Sequence, residues 1–170
     1  MVNKIIVLGM DNTGKTTLSK ELAQHLGYTH VNSLGPKASI SEMCDYMDFV
    51  LDSDEPMVLE RFCFFEEMVY GKVLRNRSKF SWENSLYALK LKVAKPLIIY
   101  CRPSKETIFQ FGDREQMEGV IEQKEKLLAE FDDLYFSLLR PKFITILYNF
   151  ECDTVERLSD FLERYGHLMG

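Results

Sequence analysis

The sequence predicts an α/β fold in three layers, with helices on both faces of a five-stranded parallel sheet. Three observations point there. Short apolar runs of strand length alternate along the chain with longer segments of helical periodicity. Strands separated by helices pair in parallel, because a parallel pair needs a crossover connection. A glycine-rich turn, Gly9 to Thr16, falls directly between the first strand and the first helix, where such folds bind anions. The 170 residues, 46% hydrophobic and 28% charged, suffice for one domain and exclude disorder or collagen-like repetition.

The elements follow in order. Lys4 to Leu8 reads as a buried strand, and Thr16 to Leu26 as a helix with Leu18, Leu22, Ala23 and Leu26 on one face. Gly27 follows, as a helix end prefers. His30 to Asn32 is a weaker strand. Ser39 to Leu51 repeats apolar residues at helical spacing, and Met57 to Leu59 forms a third strand after Pro56. A helix-rich middle from Phe64 to Lys95 leads to the strand Leu97 to Cys101, punctuated by Pro96 and Pro103. Glu115 to Leu139 is the strongest helical pattern, and Phe143 to Tyr148 is the fifth strand. A last helix starts at Asp153-Thr154-Val155-Glu156, which resembles a capping box, and buries Val155, Leu158, Phe161, Leu162 and Tyr165. No repeat, low-complexity tract or linker divides the chain, so residues 1–170 form one domain.

Charge and cysteines narrow the function classes. With 21 basic and 26 acidic residues the net charge is −5, which argues against broad binding along a nucleic-acid backbone. Cys44, Cys63, Cys101 and Cys152 include no C-x-x-C pair, and His25, His30 and His167 do not lie near them at zinc-ligand spacing. Reduced, mostly buried thiols are expected. The apolar run Ile5 to Leu8 is too short for a signal segment or a membrane span. A soluble, cytoplasmic protein is expected.

Gly9-Met10-Asp11-Asn12-Thr13-Gly14-Lys15-Thr16 matches G-x-x-x-x-G-K-S/T in full. Its glycines let the backbone wrap phosphate oxygens, so amide groups of Gly9, Asn12, Thr13, Gly14, Thr16 and Thr17 can face the anion. Lys15 brings a positive charge to the β- and γ-phosphates, and the Thr16 hydroxyl can complete a Mg²⁺ shell. Phosphoryl transfer also needs a carboxylate near the metal, at the end of a neighbouring strand. Glu60-Arg61, after Met57-Val58-Leu59, offers that carboxylate together with a guanidinium.

These residues resemble the thymidylate kinase family, whose phosphate loop reads G-x-D/E-x-x-G-K-S/T-T. This chain has Gly9 to Thr17 there, Glu60-Arg61-Phe62 where the family has Asp-Arg-aromatic, and Tyr70 about ten residues on. Val69 to Arg75 and Gly112 to Val120 are similar to the compact, phage-type members. The resemblance implies a P-loop kinase fold, ATP as phosphoryl donor and Mg²⁺. It implies that Asp11 sits near the acceptor's sugar hydroxyl or phosphate and that Arg61 binds the acceptor phosphate. Glu60 stands in for the family's Asp, with one methylene more. The loop has Asn12 where some members carry an arginine, and members lacking it draw a catalytic arginine from a lid. Arg114, in a short lid around residues 109–119 with Gly112 as hinge, fills that role here. Phe64 or Phe65 would stack on the base, and Arg75 would read its edge or a phosphate. The family's N-terminal Arg-Glu-Pro-Gly-Gly-Thr segment is replaced by Ser33-Leu34-Gly35-Pro36-Lys37.

The expected activity is ATP-dependent phosphorylation of a deoxynucleoside monophosphate, a pyrimidine such as dTMP, with a homodimer as the family's common state. A second reading is phosphorylation of a hydroxymethyl pyrimidine base in phage DNA, with Lys72, Arg75, Arg77 and Lys79 as the basic segment facing the polymer. A third is a nucleotide-binding switch without catalysis.

Overall fold

A computed structural model describes residues 2–35, 37–83, 85–110 and 118–165. Five parallel strands lie in the order β2-β3-β1-β4-β5: β1 (Lys4–Leu8), β2 (Thr29–Val31), β3 (Met57–Glu60), β4 (Leu97–Cys101) and β5 (Thr145–Tyr148). The helices are α1 (Lys15–Leu26), α2 (Ile40–Asp52), α3 (Cys63–Glu66), α4 (Lys72–Arg75), α5 (Leu86–Ala94), α6 (Lys105–Ile108), α7 (Lys124–Asp133) and α8 (Val155–Tyr165). π-Helical turns continue α3 into α4 (Glu67–Gly71) and extend α7 (Leu134–Leu139).

The central strand explains the layers. Every residue of β1 is buried, and its side chains alternate between two cores, as strand geometry requires. Ile6 and Leu8 join Met57, Leu59, Ile98 and Tyr100 against α2, α3 and α7. Ile5 and Val7 join Val58, Leu97 and Ile99 against Leu18 and Leu22 of α1 and Leu158 and Leu162 of α8. Pairing with β3 sets Val7 opposite Glu60, and pairing with β4 sets Leu8 opposite Tyr100. The carboxyl ends of the three middle strands therefore converge beside the phosphate loop.

Local chemistry sets the helix ends. Ser39 and Glu42 form a reciprocal capping box at the start of α2. Gly27 closes α1 in the left-handed conformation. At α8 the capping oxygen belongs to Thr154, which accepts from Arg157 N at 3.3 Å, while Asp153 accepts from Asn149 N at 2.9 Å. Four sequence expectations change. In the described part of the Glu115 to Leu139 pattern, residues 118–123 form turns and the helix runs from Lys124, because Gly119 at φ 83° breaks the backbone path; Glu115, Gln116 and Met117 lie outside the described residues. Phe161 is 41% exposed, since Leu158 and Leu162 take the buried stripe of α8. Phe143 and Ile144 precede β5 rather than open it. Of the four free thiols, Cys63 and Cys101 are buried, Cys44 is half-buried and Cys152 is exposed. No described helix is long and apolar enough to cross a membrane.

Gly71 lets the loop after α4 lie directly on the π-helical turn. A Cβ there would stand 2.6 Å from Glu67 Oε1 and 2.9 Å from Ser78 Cα. Glu67 is itself buried and accepts from Arg75 at 2.6 Å and from Lys79 N at 3.1 Å. Gly71→Ala is expected to lower stability by about 1–3 kcal/mol through overpacking, read as a shift in the urea midpoint at unchanged slope.

Candidate functional site

The phosphate loop bends through three left-handed residues, Asn12 (φ 63°), Gly14 (φ 79°) and, more extended, Gly9 (φ 142°). At Gly9 the backbone passes so close to β4 that a Cβ would lie 2.6 Å from the Cys101 carbonyl. A Cβ on Gly14 would lie 2.9 Å from the ring of Phe150, which packs over the crest of the loop. Thr13 closes the turn by donating to Met10 O at 2.7 Å. Asn12 donates to Gln110 O at 3.1 Å and Ile108 O at 3.4 Å, tying the loop to the end of α6.

Lys15 opens α1 and is only 4% exposed. Its ammonium donates to Met10 O and to Thr13 Oγ1 at 3.2 Å. Burial pushes this group down from 10.5 to about 8, and the nearby Arg61 charge adds to the effect. Thr16, one residue on, donates from Oγ1 to Glu60 Oε1 at 2.5 Å. The extra methylene of Glu60 thus reaches the helix start instead of capping α3, whose N-terminal residue Phe62 has no side-chain cap. A hydroxyl and a carboxylate oxygen side by side are a hard-oxygen donor set, which fits Mg²⁺. Thr16 and Glu60 are the residues that would hold it.

Arg61 follows β3 with φ 68°, a backbone state costing an arginine on the order of 1 kcal/mol. That turn aims its guanidinium at two carboxylates. One terminal nitrogen meets Asp11 Oδ1 and the other meets Glu66 Oε2 at 2.7 Å. Burial opposes the Arg61 charge, but Glu66 and Asp11 more than offset it and hold the group protonated. The Tyr70 hydroxyl lies against the Arg61 guanidinium and interacts with it, while Glu66 Oε1 lacks a hydrogen-bond partner among the described residues. Tyr70 is 4% exposed and packs edge-on against Phe131.

The other expected residues are placed as follows. Thr17 is exposed in the first turn of α1. Phe64 and Phe65 have no exposed surface; Phe64 stacks on Phe80 at 5.7 Å and meets Phe65 edge-on. Neither ring offers a face to the cleft in this structure. Arg75 is turned onto Glu67 and away from the loop. Arg114 and Gly112 lie outside the described residues.

Three site residues carried no signal in the sequence. Glu66 sits one helical turn beyond Arg61, and nothing in the pattern marks it as that residue's partner. Phe150 follows β5 and is brought to Gly14 by the sheet. Glu151 accepts from Ser104 N at 2.7 Å, Ser104 Oγ at 2.8 Å and Thr107 Oγ1 at 2.5 Å. Those bonds pull its carboxyl down to about 2 and fix the Phe150 loop to α6.

No protein-family model and no curated protein matches the chain, but solved structures do. YorR from Bacillus subtilis, in complex with phosphorylated GDP, superposes with a TM-score of 0.76 at 18% identity, over 98% of this chain and 99% of that one. Deoxyadenosine kinase from M. mycoides, with dCMP and dCDP bound, gives 0.61 at 19%, over 98% and 100%. Thymidylate kinase from Candida albicans gives 0.62 at 11%, over 97% and 91%. The fold is that of the P-loop kinases. The sequence expectation of a three-layer architecture around a P-loop holds, and identities this low speak for the fold alone.

The buried lysine makes a pH prediction. Its folded value near 8 lies below the unfolded 10.5, so the folded protein carries the cost of a desolvated charge below pH 8. That cost fades as pH rises from about 8 through 10.5, and above 10.5 both states become neutral. Lys15→Met is therefore expected to be more stable than the parent at pH 7, by about 3 kcal/mol at most. The advantage should shrink between about pH 8 and 10.5 and vanish above 10.5 in urea denaturation.

Proposed function

We propose that this protein is a phosphotransferase that moves the γ-phosphoryl group of ATP to a nucleotide acceptor, in the finer reading a pyrimidine deoxynucleoside monophosphate. The observation that carries it is the buried Lys15 ammonium at the mouth of a complete phosphate loop, with the Thr16–Glu60 pair on one side and Arg61 on the other. A desolvated cation held by two weak acceptors is ready to exchange them for phosphate oxygens. Charge that develops on the transferring group meets Lys15 in a place water does not fill. Thr16 and Glu60 would hold a divalent cation, Mg²⁺ by resemblance, which would supply further neutralisation of phosphate charge.

Arg61 lies at the acceptor side, and its two carboxylate partners hold it aimed there. An acceptor phosphate takes the place of one partner, and Asp11 then faces the sugar. Arg114 brings a further cation to the transferring group with the segment around residues 109–119. The base lies beyond Arg61, where Glu66 leaves a carboxylate oxygen unpaired among the described residues. Phosphorylation of a hydroxymethyl pyrimidine in DNA stands second. Lys72 and Arg75 spend their charge on Glu130 and Glu67, which leaves the basic segment little pull on a phosphate backbone.

The purified protein, with Mg²⁺ and labelled ATP, is to be offered each deoxynucleoside monophosphate and then duplex DNA containing hydroxymethyluracil. Label in a diphosphate is expected; label in DNA alone transfers the assignment to the second reading. Lys15→Ala should lower transfer about 100-fold or more, and near-normal turnover in that variant would falsify the site. Arg114→Ala should lower kcat far more than it raises the ATP dissociation constant. The reverse pattern would make it a ground-state binder.

A further inference from the structure

Thr16 and Glu60 have a third neighbour. His30 stands in the middle of β2 and pairs in register with Val58 of β3. Strand residues two apart share a face, so His30 and Glu60 both point toward α1. There Thr16 and Ser19 lie one turn apart. The result is a compact set: Thr16 Oγ1 to Glu60 Oε1 at 2.5 Å, Glu60 Oε2 to His30 Nε2 at 3.6 Å, and His30 Nε2 to Ser19 Oγ at 3.1 Å. The imidazole side chain is 19% exposed and the Glu60 side chain 13%.

At 3.6 Å the imidazole and the carboxylate are too far apart to share a hydrogen bond. Two atoms that ligate one ion at bond lengths near 2.1 Å stand about 3.0–3.5 Å apart, from octahedral to tetrahedral angles. The observed spacing is close to that range. Ser19 Oγ donates its own proton to Thr16 O at 3.2 Å, so its oxygen is left to accept from His30 Nε2–H. On ligation the ring proton leaves Nε2 and Nδ1 takes one up from water, which frees the Nε2 lone pair.

We propose that His30 Nε2 is a nitrogen ligand of the cation held by Thr16 and Glu60, and that the site consequently prefers Mn²⁺ to Mg²⁺. Mg²⁺ keeps to hard oxygen donors, whereas imidazole adds affinity for first-row transition ions. Mn²⁺ retains the octahedral geometry a triphosphate completes. The inference rests on the phosphotransferase reading, because the nucleotide fills the remaining positions.

Pulsed electron paramagnetic resonance tests it, on the full chain labelled with ¹⁵N-histidine and loaded with Mn²⁺ and β,γ-methylene ATP. The expected spectrum has phosphorus couplings from the nucleotide together with a directly bonded ¹⁵N. His30→Ala should keep the phosphorus couplings and lose the nitrogen. In parallel, the ratio of Mg²⁺ to Mn²⁺ dissociation constants should fall about tenfold or more. His30→Gln, which keeps the volume but not the imidazole, should behave like His30→Ala, with thermal melting confirming that both variants fold. Phosphorus without nitrogen in the parent protein, or an unchanged metal ratio in His30→Ala, overturns the assignment and leaves the phosphotransferase reading standing. Absence of both couplings overturns the two together.

Discussion

A charged amine held out of water governs this structure. Lys15 must begin α1, so that its stem runs back under the loop, and the loop must fold over it so that Met10 O and Thr13 Oγ1 meet the ammonium. That requires left-handed turns at Asn12 and Gly14 and a strand end so close to β4 that a Cβ on Gly9 would collide with the Cys101 carbonyl. The close approach in turn depends on β1 lying between β3 and β4, with both cores packed around it. Hydrophobic burial on two faces thus holds the geometry in which one unfavourable desolvation is sustained.

The second organising group is Arg61, and it works by opposition. Its left-handed backbone and its burial are both unfavourable, and the two carboxylates at Asp11 and Glu66 offset them. Removing one partner leaves the other charge imperfectly matched, so the three residues behave as a unit. Glu60 shows the same economy one residue earlier. Its longer side chain reaches Thr16 across 44 positions of sequence, and a shorter carboxylate at that strand end would have to draw α1 inward.

How much of this was legible in the sequence depends on whether the cause is local. β1 and β4 appear with their full extents because each is a continuous apolar run with a glycine or prolines at its ends. The phosphate loop and the Glu60-Arg61 pair were legible because phosphate and metal binding call for those residue types at fixed offsets from a strand end, whereas Asp11 was singled out by the family resemblance alone. His30, Glu66 and Phe150 were not. Parallel register places His30, a side-chain rotamer selects Glu66, and the path of β5 delivers Phe150. The misread start of α7 has a local cause after all, a single glycine in a conformation that periodicity does not report. Phe161 failed for the opposite reason, since a stripe of apolar residues on a helix can be wider than the surface that covers it.

The contact between Gly14 and Phe150 reaches across nearly the whole chain. Other partners of the phosphate loop also come later in the sequence: the carbonyls of Ile108 and Gln110 that receive Asn12. A nascent chain emerging from the ribosome therefore has its eight-residue motif long before it has the surroundings that shape it. Phe150 can pack over the crest of the loop only once β5 has joined the sheet, so the full surroundings of the loop are complete late. The contact order of this region, more than its composition, governs when its surroundings are complete.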